Sequence, residues 1–398
     1  MYDICVIGGG ASGLSAAVTC LRDDPGLNVC VIEKMDRPGR KISASGNGRC
    51  NITNAKCESA EASLSFFRSI GVETVKENEG RFYPRSGRAE DVVKALVNTA
   101  EALGAEMMTD FAVTKTARVE DGTFEVYGIS GGEGITVKSK KLLIASGGKA
   151  APQFGTSGDG YAFAKSFGHT VTRLAPVLTS IKSGDISGSL KGTRAKGRCA
   201  LLRDGEAIYE EYGEVQFAEG ALSGICIMDL SRFLKLEGKD IKKEFRRYRV
   251  EIDFMPEKSE KELSGLLFKR KEIPGLRASD IFLSIVPARL AEDIVSRSLS
   301  ETSPGAFAAD ISGDEIERLA KNMKNWSVRV SGAGGWKDAQ CTLGGVKTEE
   351  IDMDTMQSRI ADGLYFAGEI IDRDWQCGGF NLQNAWETGI KAGKAMAR

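Results

Sequence analysis

The first group of residues that could do chemistry is a glycine turn at residues 8–13, which read Gly-Gly-Gly-Ala-Ser-Gly. A strand-like run at residues 2–7 precedes the turn, and an alanine-rich helix is predicted to follow it. Gly8 permits a tight turn, Gly10 lets backbone N–H groups approach a pyrophosphate, and Gly13 lets the helix pack closely on the strand. The helix start adds a partial positive charge. The turn is therefore predicted to bind the phosphates of a dinucleotide, with a purely structural turn as the alternative.

An acidic residue follows the second strand of the same unit. Residues 28–32 are mostly apolar and lead into Glu33, which lies 20 residues after Gly13. A carboxylate at this spacing accepts hydrogen bonds from ribose hydroxyls in dinucleotide-binding folds. Glu33 is therefore the predicted ribose ligand.

A second strand, glycine-rich turn and helix lie near the C-terminus. Residues 363–369 read as a strand that ends in Gly368 and Glu369, and residues 375–384 contain a Gly-Gly pair before a helix. A helix start offers free N–H groups to an electron-rich ligand. Taken alone, the segment also fits an ordinary structural turn. Together with the N-terminal motif, it predicts a second wall of the same cofactor site.

Size, charge and cysteine usage restrict the class of protein. The chain has 398 residues, which is enough for two or three domains, and its net charge of −1 leaves no basic surplus for nucleic acid or anionic lipid. Nine cysteines occur without a C-x-x-C pair, and no stretch approaches the roughly 20 apolar residues of a membrane span. We therefore expect a cytoplasmic protein with reduced thiols. A small-molecule substrate is expected, with neither a nucleic-acid nor a membrane partner.

The single histidine restricts the chemistry further. His169 has no metal-ligand companion in the sequence, so no metal site is expected, and a multi-histidine zinc site or a His-based triad is excluded. His169 itself is expected to play a structural role at a helix end. General acid–base catalysis would therefore depend on other side chains or on water.

The order of glycine-rich, strand-like and helical segments along the chain predicts a nucleotide-binding domain that is split in sequence. Residues 1–182 and 328–398 are expected to form its two segments. Between them, residues 183–255 are expected to form an inserted β domain of short alternating strands, and residues 256–327 an inserted helical domain.

Two polar segments are predicted to lack regular helix. Residues 37–54 are rich in Gly, Ser, Asn and Arg and are expected to form a long loop over the ligand. Residues 242–247 carry charges of both signs and are expected to form a solvated strand or turn rather than a nucleic-acid site. Cys50, inside the first segment, has no C-x-x-C partner and is expected to pack rather than to act as a redox thiol.

Several motifs together resemble one known family. They are the turn at residues 8–13 with Glu33, the cluster Gly-Arg-Lys at 39–41 with Ser-Gly-Asn-Gly-Arg-Cys-Asn-Ile-Thr-Asn at 45–54, and the C-terminal runs Gly-Leu-Tyr-Phe-Ala-Gly-Glu and Gly-Gly-Phe-Asn-Leu-Gln. On these motifs the chain resembles the BaiN/YhiN-type (aminoacetone-oxidase-like) FAD-binding flavoprotein family over nearly its whole length. The resemblance implies an α/β fold, with a split Rossmann-like FAD-binding domain, an inserted β-barrel-like domain and a helical domain. It also implies that FAD is bound non-covalently.

The resemblance also assigns residues to the cofactor. The pyrophosphate would be held by Gly8, Gly10, Ala11, Ser12 and Gly13, with Glu33 on the adenosine ribose and Lys34 nearby. Gly39, Arg40 and Lys41 belong to the same site, where Arg40 and Lys41 would neutralise phosphate charge, and Val113 would contact the adenine end through its backbone. Gly147, Gly368, Glu369, Gly379, Asn381, Leu382 and Gln383 would close around ribitol and flavin. The chain departs from the family pattern at Trp375 and Cys377, which would reshape the substrate side.

No catalytic residue is assigned, and the candidates are Arg49 and Asn51. Either side chain could bind a carbonyl or carboxylate of the substrate. Equally, both could brace the long loop from within. The helix start at residues 381–383 would stabilise negative charge on reduced flavin.

The leading interpretation is an FAD-dependent oxidoreductase. In its reductive form, NAD(P)H docks transiently as the reductant, and an activated C=C bond is reduced through the flavin; the resemblance suggests bile-acid enone reduction. The alternatives are an FAD-dependent amine oxidase with an aminoacetone-like substrate, and a non-catalytic flavin-binding regulatory protein. The sequence contains no second intact strand–GxGxxG–helix unit, so no built-in nicotinamide domain is expected.

Overall fold

The computed structural model describes residues 1–235 and 240–398, which fall into two compact units. The first unit combines Met1–Pro176 with Ala339–Arg398, and the second is Val177–Asp338. The chain therefore leaves the first unit once and later returns to it. The further division into a β domain at 183–255 and a helical domain at 256–327 stays a prediction.

Strands and helices are numbered in chain order. The first segment contains β1 (Tyr2–Ile7), α1 (Ala11–Asp23), β2 (Val29–Ile32), α2 (Arg40–Ala44), β3 (Thr53–Asn54), α3 (Ala60–Ser69), β4 (Thr74–Lys76), β5 (Arg81–Pro84), α4 (Ala89–Ala102), β6 (Glu106–Met108), β7 (Phe111–Arg118), β8 (Phe124–Ser130), β9 (Glu133–Ile144), α5 (Asp159–Ser166) and β10 (Ala175–Val177). The next segment contains β11 (Ile181–Lys182), β12 (Arg194–Arg203), β13 (Glu206–Ala218), β14 (Ala221–Ser223), α6 (Ile225–Ser231), α7 (Ile241–Phe245), β15 (Tyr248–Asp253), α8 (Glu260–Lys271), α9 (Ala288–Ser298), α10 (Gly313–Lys324), β16 (Trp326–Arg329) and β17 (Gly332–Ala333). The last segment contains β18 (Cys341–Leu343), β19 (Leu364–Phe366) and α11 (Phe380–Met396).

The main sheet of the first unit has the strand order β6-β2-β1-β9-β8-β7, with β19 also paired to β9. Strands β6, β2, β1, β9 and β19 run parallel, in a register that pairs Cys5 with Cys30 on one side and with Leu142 on the other. Parallel strands that are covered on both faces need continuous apolar runs, and all four residues of β2 are buried. Strands β7 and β8 complete an antiparallel meander with β9. The predicted Rossmann-like α/β class is confirmed.

Two helices from opposite ends of the chain cross at glycines. Helices α1 and α11 pack against each other through Gly389 and Gly393 of α11. A Cβ atom on Gly389 would overlap the Ser12 carbonyl oxygen and the Ser15 hydroxyl, and one on Gly393 would lie 2.6 Å from the Ala16 carbonyl oxygen. Glycine therefore allows the two backbones to touch. The crossing fastens the C-terminal helix to the first turns of α1.

The prediction that residues 37–54 lack regular helix is wrong for residues 40–44, which form α2. The helix starts after Gly39, whose φ of 73° lies in the left-handed region that glycine tolerates. Ile42 is buried in an apolar cluster with Leu96 of α4. The packing of one apolar residue against a neighbouring helix thus stabilises a helix in a segment whose composition indicates a loop.

The second unit is built on an antiparallel sheet with the order β16-β15-β12-β13-β14-β11-β17. Its buried core draws on strand residues such as Leu201 and Val250 and on helix residues such as Ile294 and Leu319. The sheet and helices α8, α9 and α10 therefore bury their apolar faces together. Within the described residues, no helix is both long and apolar enough to cross a membrane.

The prediction of a strand or turn at residues 242–247 is also wrong, because α7 covers most of this run. The Asp240 carboxylate accepts a hydrogen bond from the Lys243 backbone N–H at 3.1 Å and caps the helix. Phe245 is buried at the other end. A cap and one buried ring stabilise a helix that the mixed charges of this run did not indicate.

His169 is buried, and both of its ring nitrogens have partners. Nδ1 lies 3.1 Å from a Glu350 carboxylate oxygen, and Nε2 lies 2.8 Å from the Ser358 hydroxyl. Burial lowers the pKa of His169, although Glu350 acts in the opposite direction. These contacts join two segments of the first unit, in agreement with the predicted structural role.

We predict that Gly389→Ala destabilises the protein, because a Cβ atom has no space between α11 and α1. Overpacking of this kind costs typically about 1–3 kcal/mol and would lower the midpoint of urea unfolding. Gly265→Ala is the matched control, since it lies in α8 where a Cβ atom meets nothing within 4 Å. Alanine there should stabilise the helix by roughly 0.5–1 kcal/mol. Similar unfolding midpoints for the two variants would contradict the proposed role of the crossing.

Candidate functional site

The first turn of α1 borders open space. Gly10 is the N-cap residue, no side chain caps it, and a Cβ atom placed on it would meet nothing within 4 Å. Gly13 differs, because a Cβ atom there would overlap the Gly8 carbonyl oxygen. The N–H groups in the first turn, which includes Ala11 and Ser12, have no partners within the helix. The turn therefore presents backbone donors and a positive helix end to whatever fills the space.

Glu33 holds the glycine turn from the end of β2. Its carboxylate accepts hydrogen bonds from the Gly9 N–H at 3.0 Å and the Met35 N–H at 2.9 Å. Burial raises the pKa of Glu33, and these backbone donors oppose the rise. Each carboxylate oxygen can accept more than one hydrogen bond, so the predicted ribose contact is compatible with this geometry.

The start of β7 is hydrogen-bonded to the main chain of Glu33. The Phe111 N–H donates to the Glu33 carbonyl oxygen at 3.0 Å, and Val113 follows two residues later on the same strand. The ladder between β7 and β8 shifts register directly after Val113. The structure thus brings Val113 to the Glu33 end of the site, where the resemblance puts adenine.

The predicted cations already have carboxylate partners. Lys34 Nζ contacts Asp159 at 2.8 Å, and Arg40 contacts Asp36 at 3.3 Å, both at exposed positions. Lys41 Nζ lies 2.6 Å from the Glu369 carboxylate, a partly buried pair. Lys41 and Glu369 belong to distant parts of the sequence, and their contact joins α2 to the end of β19. Their roles at phosphate and ribitol stay predictions.

The end of β19 meets the first turn of α1. The Ser12 hydroxyl donates to the Ala367 carbonyl oxygen at 3.2 Å, and a Cβ atom on Gly368 would lie 3.1 Å from Ser12 Cβ. The Gly368 N–H donates to the Thr388 hydroxyl at 2.9 Å. Gly147 follows the neighbouring strand β9. The two predicted walls of the site therefore touch.

The N-terminus of α11 is a second backbone donor site. Gly379 is the N-cap with φ 101°, and no side chain caps the helix. A Cβ atom there would lie 2.8 Å from the Thr53 carbonyl oxygen and 2.9 Å from Asn51 Oδ1. Only glycine fits both the backbone conformation and the space. Leu382, in the first turn, packs against the apolar cluster around α4.

The side chains of Asn381 and Gln383 are hydrogen-bonded to other residues of the protein, so they are not available to a ligand. Asn381 accepts from the Trp375 N–H at 3.0 Å and donates to the Trp375 carbonyl oxygen at 2.8 Å. Gln383 accepts from the Thr53 hydroxyl at 2.6 Å and donates to the Ser59 hydroxyl at 2.9 Å. Any contact of these two residues with the flavin would therefore come from their main chain.

Arg49 and Asn51 have different surroundings. The Arg49 guanidinium pairs with Glu77 and lies 4.2 Å from the centre of the Tyr83 ring, contacts that favour the loop-bracing alternative. Asn51 is 8% exposed, and its Oδ1 has no hydrogen-bond partner. A buried acceptor without a donor is costly unless a ligand supplies one.

These features fit FAD. The space at Gly10, the uncapped starts of α1 and α11, and the unpaired Asn51 oxygen offer donors for a pyrophosphate and an acceptor for a ring N–H. The buried Ser146 hydroxyl, two residues after the end of β9, also has no hydrogen-bond partner. The donor set is mainly backbone N–H at helix N-termini, which suits a negatively charged phosphate linkage.

Comparison with known proteins decides the family. The family described as HI0933-like protein Rossmann domain matches residues 2–63 and 58–395. The chain belongs to this family. Its resemblance to BaiN/YhiN-type flavoproteins is thereby confirmed, and it is an FAD-dependent oxidoreductase with FAD as its cofactor. The alternative of a non-catalytic flavin-binding protein does not hold.

Two relatives and one solved structure illustrate the range of this similarity. The chain is 32% identical to 3-dehydro-bile acid delta(4,6)-reductase of Clostridium scindens, covering 100% of the chain and 99% of that protein. It is 27% identical to ribosomal RNA dihydrouridine synthase of Escherichia coli, covering 97% of the chain and 96% of that protein. The 3-ketosteroid-delta4-(5alpha)-dehydrogenase of Rhodococcus jostii shares the fold, with a TM-score of 0.52 at 13% identity, over 100% of this chain and 97% of that one. Since one relative is named for RNA, the expected absence of a nucleic-acid partner stays a prediction.

Some residues at the site were not found from the sequence. The hydroxyl of Thr388 accepts from Gly368, and that of Thr53 donates to Gln383; Arg81 lies beside the Gly378–Gly379 turn. Thr53 lies within the motif at residues 45–54, but the partners of all three residues lie far away in the sequence, so no local pattern indicates these contacts.

We predict that Gly10→Ala folds normally but binds FAD more weakly, because the added methyl group occupies space that the ligand needs. A loss of affinity on the order of tenfold or more is expected, equivalent to about 1.4 kcal/mol, measured by fluorescence titration with FAD. Gly134→Ala, also at a position with open space around a Cβ atom, should bind FAD like the parent protein. Unchanged FAD affinity in Gly10→Ala would exclude this turn as the phosphate site.

Proposed function

We propose that this protein reduces a C=C bond conjugated to a carbonyl group in a small molecule, with NAD(P)H as the electron donor. The observation that carries the proposal is the match over the whole chain to a reductase that is named for a dehydro-bile acid. Overall, hydride and a proton are added across the C=C bond, and NAD(P)H becomes NAD(P)⁺. FAD, when bound, supplies the electron transfer between the two reactants.

The residues of the chain would bind and orient the reactants. The first turn of α1, with Gly8, Gly10 and Gly13, would hold the pyrophosphate, and Glu33 the ribose. The first turn of α11 would place N–H donors where negative charge develops during reduction. Such preorganised donors need no rearrangement in the reaction, because Gln383 and Asn381 already fasten the turn.

Cys50 and Cys57, which lie near the site, do not support disulfide chemistry. Cys50 is buried in the apolar cluster around α4, and burial raises its pKa to about 12. A thiol with this pKa stays protonated near neutral pH and is a poor nucleophile. Cys57, seven residues away, also has a pKa raised by burial. Electron transfer would thus pass directly between the cofactor and the substrate.

Two other reactions are alternatives with the same cofactor. The relative named for ribosomal RNA dihydrouridine synthesis supports uridine in RNA as a substrate. That reaction also saturates a C=C bond conjugated to a carbonyl, so it shares the reaction class with the proposed one. Oxidation of an amine such as aminoacetone is the remaining alternative. The small net charge of the chain favours a small molecule over RNA.

The proposal predicts the outcome of an anaerobic mixing experiment. NADH or NADPH should bleach the absorption of the bound flavin, and a cyclic enone added next should restore it, with the saturated ketone as product. Gly10→Ala protein that has lost FAD serves as the control, since it should consume no nucleotide in the presence of the enone.

The alternatives give different results in the same experiment. Bleaching by aminoacetone without nucleotide, followed by peroxide release in air, would identify an amine oxidase. Restoration of colour by a uridine-containing ribosomal RNA fragment, but not by enones, would identify the RNA reaction. No bleaching by either nucleotide would disprove the NAD(P)H-linked reductase.

A further inference from the structure

Arg81 brings a guanidinium group to the turn that precedes α11. It lies on β5, directly opposite Asn54 of β3. The Asn54 amide donates to the Gly378 carbonyl oxygen at 3.0 Å and so ties the turn to this small sheet. A Cβ atom placed on Gly378 would lie 3.7 Å from Arg81 Nε and 3.7 Å from the Phe380 ring. A cation and an aromatic edge therefore border the same turn.

The present partner of Arg81 is weakly held. Arg81 forms an ion pair with Glu79, and the two side chains are 21% and 70% exposed. Glu79 also has a φ of 61°, which residues other than glycine rarely adopt. An ion pair with one partner largely in water contributes little to stability. Another carboxylate could therefore replace that of Glu79 at little cost.

Arg49, the sequence-based candidate, is less available. Its guanidinium lies over the Tyr83 ring as well as pairing with Glu77, so two contacts fix it. No aromatic ring lies over the Arg81 guanidinium in the part of the chain that the structure describes, and its Nε lies 3.7 Å from the place of a Cβ atom on Gly378. Of the two arginines, Arg81 is the one that borders the start of α11.

We propose that Arg81 is a specificity-determining residue that binds a carboxylate of the substrate, in the place that the Glu79 carboxylate takes in this structure. The proposal rests on the proposed function, because it supposes that the reacting C=C bond lies at the start of α11. A guanidinium binds a carboxylate through two parallel N–H donors. The substrate class is thus an enone that also carries a carboxylate, with the Phe380 ring edge against its carbon frame.

The contact would affect binding rather than the chemical step. The carboxylate keeps its charge throughout the reduction, so Arg81 stabilises the ground state and the transition state equally. Loss of Arg81 should therefore raise KM for an acidic enone and leave kcat nearly unchanged. A neutral enone should show no change in either constant.

The test is a binding titration of the FAD-loaded enzyme without NAD(P)H, so that no turnover occurs. The probes are a cyclohexenone with a carboxylate at the para position and its methyl ester, and the readout is the shift in flavin absorption. Arg81→Gln should weaken carboxylate binding about 10- to 100-fold and leave ester binding unchanged. Glu79→Gln should tighten carboxylate binding, because it removes the competing carboxylate. Arg68→Gln, which breaks an exposed ion pair on α3, should match the parent enzyme.

The outcomes separate a substrate contact from a structural one. If Arg81→Gln and Glu79→Gln weaken carboxylate binding equally, the Arg81–Glu79 ion pair only stabilises the local structure and the proposal is wrong. Equal binding of the acid and the ester by the parent enzyme would also overturn it. Should Arg81→Gln lose FAD, Arg81→Lys takes its place: selective loss of carboxylate binding supports the proposal, and unchanged binding refutes it. Failure of the proposed reduction appears separately, as an enone that does not restore the flavin colour.

Discussion

The close contact between α1 and α11 is the constraint on which the rest of the first unit depends. Gly389 and Gly393 let the two helix backbones touch, and Leu14 of α1 and Trp386 of α11 are buried in one apolar cluster. The Trp386 indole N–H donates to the Ile52 carbonyl oxygen at 3.0 Å, which holds the glycine-rich segment against the same helix. Both helix starts can therefore serve one ligand, although they come from opposite ends of the chain.

The site is built from backbone groups that side chains hold in place. Glu33 fastens the first glycine turn, Asn381 fastens the loop before α11, and Gln383 fastens the start of that helix to Thr53. Backbone N–H groups fixed in this way bind an anion without the entropy cost of ordering flexible side chains. The charged residues near the site are mostly paired with one another, so the helix ends supply much of its positive potential.

Sequence patterns predicted the parts that depend on local interactions. The strands of the parallel sheet followed from apolar runs, and the phosphate turn followed from glycine spacing in a strand–turn–helix context. The same reasoning failed at α2 and α7, where one buried side chain in each, Ile42 and Phe245, outweighed polar composition. Packing partners of this kind lie on other elements, so a local window of sequence does not contain them.

The amino-acid sequence by itself determined the dinucleotide-binding α/β unit, because glycine spacing and apolar runs are patterns of residue types at short, regular spacing. The resemblance to a known family implied the identity of the cofactor as FAD and also the split of the domain. Only the tertiary structure decided that Lys41 forms an ion pair with Glu369 and that Arg81 lies close to Gly378. It also decided that the side chains of Asn381 and Gln383 form hydrogen bonds within the protein. Each of these contacts joins elements that are distant along the chain. Their distances are set by the register of strands and the crossing of helices, which depend on packing over the whole unit rather than on any local motif.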